Sequence, residues 1–242
     1  MIKAIFFDID DTLYSTTTFA EHARIAALEA LRAHGVRLSL ESLRRELGEV
    51  ISEFSSNYNT HFDKLLLRLT KHDLPQVNPA ILIAAAVRAY HDAKQTHLKP
   101  FDDVPAALEA LAKTDLIRGI ITAGLEIKQA EKLLRLRVYP WLTPTAIFIS
   151  DQIGISKPNP KLYQRALSDT GVAPGEAIYV GDHPLHDVDP ANKVGLNTVL
   201  VNRGTKYSNL EGKTRPRHTI TDFTQLLTLL ESDYKLPVPR SA

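Results

Sequence analysis

Five short apolar runs recur along the chain, at Ala4 to Phe7, Leu116 to Ile121, Ala146 to Ile149, Ala177 to Val180 and Thr198 to Val201. Runs this short suit strands covered on both faces. Amphipathic stretches at helical spacing separate the later runs. Strands that alternate with helices imply crossover connections, and these imply an α/β fold with a Rossmann-like parallel sheet. In an open parallel sheet the carboxyl ends of all strands lie along one edge, where ligand sites form. Residues just after the runs should therefore converge in space, however far apart they lie in the chain.

The alternation fails between about Phe19 and His97, which reads as consecutive helices. Ser39 is placed to cap a helix whose Leu43, Leu47, Val50, Ile51 and Phe54 share a face. Phe62, Leu65, Leu66 and Leu69 line another, and Asn78-Pro79 opens a fourth with cap and first-turn proline in their favoured places. A helix-only block between the first and second strands reads as an inserted lid. The expected organisation is a core of residues 1–15 and 99–233, a helical cap at 16–98, and a tail at 234–242 that two prolines should leave frayed.

Composition narrows the partners. The formal net charge of the 242 residues is +1, too small a field to favour nucleic acid or an anionic membrane. With no cysteine, disulfides and thiolate zinc sites are excluded. Met1-Ile2-Lys3-Ala4 runs straight into the first apolar stretch, with neither a signal-peptide core nor a spanning segment, so a cytoplasmic protein is expected.

Four polar clusters follow predicted strands. In Asp8-Ile9-Asp10-Asp11-Thr12, Asp8 and Asp10 are two apart and can face one site. Such a pair can divide labour between a nucleophile attacking phosphorus and a proton donor to the leaving oxygen. Taken alone, the cluster also fits a solvated acidic turn. In Thr122-Ala123-Gly124, a strand-end hydroxyl and a tight glycine turn can bind a phosphate oxygen together with backbone N–H groups, although many such threonines only cap helices. Lys157, in Ser156-Lys157-Pro158-Asn159-Pro160, is held in a stiff loop as a fixed positive charge, or is a surface lysine. In Gly181-Asp182-His183-Pro184-Leu185-His186-Asp187, Asp182 is a good hard-cation ligand. Asp187 can bind a cation through water, pair with Lys157, or cap the next helix, and His183 and His186 could contact substrate but are read first as solvent-exposed.

Together, the D-x-D-x-T, strand-plus-Thr, Lys-Pro and G-D-x-x-x-x-D series resembles the haloacid-dehalogenase-like superfamily, from Met1 to about Leu230. The helical insert is similar to that superfamily's α-helical cap. The Phe-Phe-Asp-x-Asp-Asp-Thr-Leu opening and the Gly-x-Ile-Thr turn further resemble an archaeal-type subgroup, some members of which are described as glyceraldehyde 3-phosphate phosphatases. The resemblance implies a magnesium-dependent phosphatase acting on a small phosphorylated metabolite. Asp8 would be nucleophile and magnesium ligand. Asp10 would be general acid and then base, with its backbone carbonyl on the metal. Thr122, Ala123 and Lys157 would hold the phosphoryl group, Asp182 would bind magnesium, and Thr12 and Asp187 would support. Ala123 departs from the pattern, since many relatives carry asparagine there.

Three rivals have distinguishing features. A dehalogenase needs no acid two residues after its nucleophile, so Asp10 argues for phosphoryl chemistry. A phosphomutase would use the same core with a cap able to hold a bisphosphate. A phospho-receiver module places its phospho-acceptor after a later strand and has no helical insert. Specificity should come from the cap side, with Tyr14, Ser15, Asn57, Tyr58 and His61 as candidates.

Overall fold

The structure, a computed structural model, describes residues 1–54, 60–204 and 207–239, with Lys94 and Gln95 described in backbone alone. All five expected strands form, each within a residue of its apolar run: β1 (Ala4–Phe7), β2 (Ile117–Thr122), β3 (Ile147–Ile149), β4 (Ala177–Gly181) and β5 (Asn197–Val201). A sixth, β6 (His218–Ile220), was not foreseen, because only Ile220 of its three residues is buried and an edge strand needs no apolar run. The sheet order is β3-β2-β1-β4-β5-β6, and every neighbouring pair is parallel.

β1 is the axis of the core, and Ala4, Ile5, Phe6 and Phe7 are all fully buried. Phe6 meets Phe148 edge-on, in a cluster with Tyr163 and Tyr179. Phe7 stacks on Phe223 at 5.5 Å. Each such ring contributes about 1.5–3 kcal/mol through burial. The second run tolerates Arg118 because the side chain leaves the sheet and donates to the carbonyls of Leu116, Thr114 and Trp141 at 2.5, 3.2 and 2.8 Å. Crossover and flanking helices are α5 (Asp103–Ala112), α6 (Glu126–Arg135), α7 (Ser150–Ile153), α8 (Pro160–Thr170), α9 (Asp189–Lys193) and α10 (Phe223–Ser232). Asn159 caps α8 as its Asn-Pro start requires, accepting from Lys161 N.

The chain divides into two compact units, one of Met1–Thr16 with Lys99–Ala242 and one of Thr17–Leu98. The second is helical, built from α1 (Thr16–Ala33), α2 (Leu40–Phe54), α3 (His61–Arg68) and α4 (Pro79–His97). Its core joins Leu28, Leu31, Leu43, Leu47, Leu65 and Leu82. Ser39 Oγ accepts from Ser42 N at 3.1 Å and Asn78 Oδ1 from Ala80 N at 2.9 Å, so both expected starts carry a side-chain cap. Phe54 ends its face exposed, and Asn57 and Tyr58 lie outside the described residues.

The segment after α10 does not fray at its start. Lys235, at φ 55°, turns the chain, Leu236 N donates to Leu230 O, and Val238 is buried. No helix among the described residues is long and apolar enough to cross a membrane.

Candidate active site

Successive strands add outward from β1 on one side and from β4 on the other, so the sheet's switch point lies between β1 and β4. Asp8 follows β1, and Asp8 N donates to Val180 O at 2.9 Å. Asp182 follows β4. Their carboxylates and that of Asp187 offer oxygens all within 4.8 Å of one another.

Among the described residues, Lys157 is the cation buried with them. Its Nζ donates to Asp8 Oδ1 at 2.7 Å, Asp187 Oδ1 at 2.7 Å and the Tyr179 hydroxyl at 2.6 Å, which uses all three of its protons. Burial alone would lower the Lys157 pKa, but the charges of Asp187 and Asp8 outweigh it and hold the pKa well above the ordinary value. The Tyr179 hydroxyl also lies 3.0 Å from Asp187 Oδ1 and 3.1 Å from Ile121 O.

The carboxylates outnumber this lysine. Burial first, then Asp187 and Asp10, push Asp8 up to about 6 against the pull of Lys157. Burial and the charges of Asp187, Asp8 and Asp11 push Asp182 up to about 9. Asp182 Oδ1 accepts a long bond from Thr12 Oγ1 at 3.4 Å, while Oδ2 is buried without a hydrogen-bond partner. An all-oxygen donor set, excess negative charge and an orphaned carboxylate oxygen are what a hard divalent cation with few protein ligands requires. The residues present fit magnesium.

The spacing of the Gly181-to-Asp187 stretch has a steric origin. A Cβ on Gly181 would lie 2.5 Å from Asp187 Oδ2, so only glycine admits the returning carboxylate. Residues 184–188 form one wide helical turn, with Asp187 N and Val188 N both reaching His183 O. Asp187 does not cap the next helix. Its Oδ2 accepts from His183 N at 3.0 Å, and Oδ1 holds Lys157. The solvent-exposed reading of His183 is also corrected. It is half-buried, its Nδ1 accepts from Leu185 N and His186 N, and its ring stacks on His186 at 4.1 Å.

Asp10 belongs to a separate network. Lys132 Nζ donates to Asp10 Oδ1 and Oδ2 at 2.6 and 2.7 Å, the Tyr14 hydroxyl to Oδ1 at 2.6 Å, and Gln129 Nε2 to Oδ2 at 3.4 Å. Burial pulls the Asp10 pKa up, but Lys132 and the hydrogen bonds of Tyr14 and Gln129 outweigh it and leave it below the usual value. Asp11, at φ 56°, turns the loop between them and accepts from Thr16 N and Oγ1, starting α1. Asp is among the residues that tolerate this left-handed region. Tyr14 is therefore a buried partner of Asp10, contrary to its expected place as a substrate-facing residue.

Asp8, Asp10, Asp11, Ala123, Lys157 and Asp182 line one cleft of about 300 Å³, with His183, His186, Asp187 and Tyr207 along it. Thr122 closes β2 and is buried, as is Thr12. Reading strand ends alone missed Lys132, Gln129 and Tyr179. Gln129 shares a buried helical row with Leu133, and a glutamine there was a signal that a polar partner lay beneath. A tyrosine inside the apolar β4 run likewise needs a partner for its hydroxyl.

A family model of haloacid dehalogenase-like hydrolases matches residues 5–201. A glyceraldehyde 3-phosphate phosphatase of Methanopyrus kandleri is 45% identical over 213 residues, covering 87% of this chain and 88% of that one. Another, of Pyrococcus furiosus, is 42% identical and covers 96% of this chain and 94% of its own. A solved phosphatase of the same superfamily, from Thermococcus onnurineus, superposes with a TM-score of 0.64 at 25% identity, over 95% of this chain and 98% of that one. A solved 2-haloacid dehalogenase of Pseudomonas syringae shares the fold at 24% identity with a TM-score of 0.62. The fold, the strand-end acids and relatives matched along most of their length agree, and the chain belongs to the haloacid dehalogenase-like hydrolases.

Proposed function

We propose that this hydrolase is a magnesium-dependent phosphatase that passes the phosphoryl group of a small phosphate monoester first to Asp8 and then to water. The observation that carries the reading is a pair of carboxylates two residues apart, each on its own lysine: Asp8 on Lys157 and Asp10 on Lys132. A dehalogenase has no use for the second carboxylate.

Asp8 attacks phosphorus, and the new Oδ–P bond forms as the ester P–O bond breaks. Asp10, in its acid form, gives its proton to the departing oxygen. It then takes a proton from the water that attacks the aspartyl-phosphate, which frees Asp8. Lys157 and the Thr122 hydroxyl hold phosphoryl oxygens, and Asp187 with Tyr179 holds Lys157. Magnesium, held by Asp8, Asp182 and the backbone carbonyl of Asp10, would screen the phosphate dianion from Asp8 and draw Asp8 into its ionised form. Lys132, with the hydrogen bonds of Tyr14 and Gln129, outweighs the burial that would raise Asp10 and favours its carboxylate form. A substrate dianion beside Asp10 shifts it back toward the acid form.

Relatives over 40% identical are named glyceraldehyde 3-phosphate phosphatases, which makes a three-carbon phosphate the first substrate to test. We assign the inserted unit, residues 16–98, the role of a cap that recognises the organic part, with His61 a residue to probe. The test is phosphate release from a panel of esters, with and without chelator, for the wild type and Asp8→Asn. Release from small esters, its loss in chelator and its loss in the variant are expected. Full activity in chelator or in Asp8→Asn overturns the reading.

A further inference from the structure

We propose that Lys132 is a positioning residue that fixes the orientation of Asp10 for proton transfer. The proposal rests on the phosphatase reading above. The Asp10 side chain is about a third exposed (34%) on the cleft, so its own packing does not set its rotamer. Three donors from two elements do so instead. Tyr14 comes from the loop that follows β1, and Gln129 and Lys132 come from the inward face of α6. The amide of Gln129 has one orientation, because Nε2 serves two acceptors, Asp10 Oδ2 and Ala123 O. Gly124 makes room for it, since a Cβ there would lie 2.5 Å from Gln129 Nε2. Lys132 Nζ sits 5.8 Å from the Tyr14 ring centroid, so ammonium, ring and carboxylate form one packed group.

The bonds are unequal. Oδ1 carries two short bonds, from Lys132 and Tyr14, whereas Oδ2 carries one short bond and the 3.4 Å contact of Gln129. Oδ2 is therefore the oxygen with capacity left for the transferred proton. As that proton passes to the leaving oxygen, negative charge returns to Asp10, where the ammonium already waits at 2.6–2.7 Å. Charge that develops beside a preorganised donor needs no reorganisation. A carboxylate misplaced by an ångström loses about 100-fold.

The test compares an alkyl phosphate with p-nitrophenyl phosphate, whose leaving group needs little protonation. Wild type, Lys132→Met, Lys132→Arg and Tyr14→Phe are followed in single-turnover phosphorylation, with thermal unfolding as the control for folding. Lys132→Met should lose about 100-fold on the alkyl ester and roughly threefold or less on the aryl ester. Lys132→Arg should recover part of the loss. Tyr14→Phe, which keeps the ring packing, should show the same selectivity at smaller size. Equal losses on both esters, or none, in Lys132→Met and Tyr14→Phe overturn the proposal, and Tyr14→Phe decides alone if Lys132→Met does not fold. A wild type active on both esters with Asp8→Asn inactive leaves the phosphatase reading standing in that case. A wild type inactive on both overturns the two together.

Discussion

Asp182→Asn should stabilise the metal-free protein while abolishing turnover. Asp182 is 6% exposed, its Oδ2 has no partner, and its pKa is raised from 3.8 to about 9 by burial and then by Asp187, Asp8 and Asp11. An acid whose folded pKa lies above its unfolded one binds its proton more tightly when folded. Stability then falls as pH rises between the two values, by about 1.4 kcal/mol per unit. Between 3.8 and neutrality the loss reaches on the order of 4 kcal/mol. Asparagine does not titrate, and its amide can donate to the nearby carboxylates of Asp8 and Asp187. Its Oδ1 can still accept from Thr12 Oγ1, and burying an amide offsets part of the gain, leaving about 2–3 kcal/mol at pH 7. Urea unfolding in chelator at several pH values measures it. The variant should be the more stable, by a margin that widens from pH 5 to pH 8. Added magnesium should raise the wild-type midpoint and leave the variant's where it was. A variant less stable than wild type in chelator, or a margin that does not grow with pH, refutes the reasoning.

Three other substitutions probe the frame around the site. Asp103→Ala removes both bonds to Arg203, at 3.0 and 2.7 Å, and strands a guanidinium buried against Phe101 and Phe223, so urea unfolding should show a loss of about 3–5 kcal/mol. Burial would raise the Asp103 pKa, but the bonds from Arg203 and Phe223 N outweigh it and lower it, so its stabilisation is full above pH 3.8 and should be lost as pH falls through the lower folded value. Gly181→Ala pushes a methyl against Asp187 and loosens Lys157, and kcat should drop at least about tenfold. Tyr179→Phe leaves Ile121 O and one Lys157 proton unmet, with an expected stability loss of about 1–3 kcal/mol by thermal or urea unfolding.

The strands were legible because a sheet covered on both faces leaves no choice of residue but an apolar one, as Ala4-Ile5-Phe6-Phe7 shows. The strand-end acids were legible because one edge of a parallel sheet gathers them. β6 escaped because an edge strand is half wet, and Arg217-His218-Thr219 carries no period. Lys132 escaped for a different reason. Its partner lies 122 positions away, and a lysine on an amphipathic helix looks the same whether it meets water or a carboxylate. Asp187 was read three ways, and the structure selects pairing with Lys157, because the missing side chain at Gly181 lets it fold back.

The central place of β1 has a consequence for how the protein is made. Ala4 pairs with Ile117 on one side and Ala177 on the other, so the most apolar strand emerges before both its neighbours and stays half-paired until β4 is made. At roughly 5–20 residues per second, synthesis takes on the order of ten to forty seconds to reach β4. Throughout that time Ile5, Phe6 and Phe7 have at least one open edge. Closing loops this long is slow compared with forming local helices. The inserted helices, whose apolar core draws only on residues within Thr17–Leu98, can form during the wait. The nascent chain should thus depend on chaperones that shield an unpaired hydrophobic strand, and Lys157, whose partners span residues 8 to 187, should lock into place only at the end.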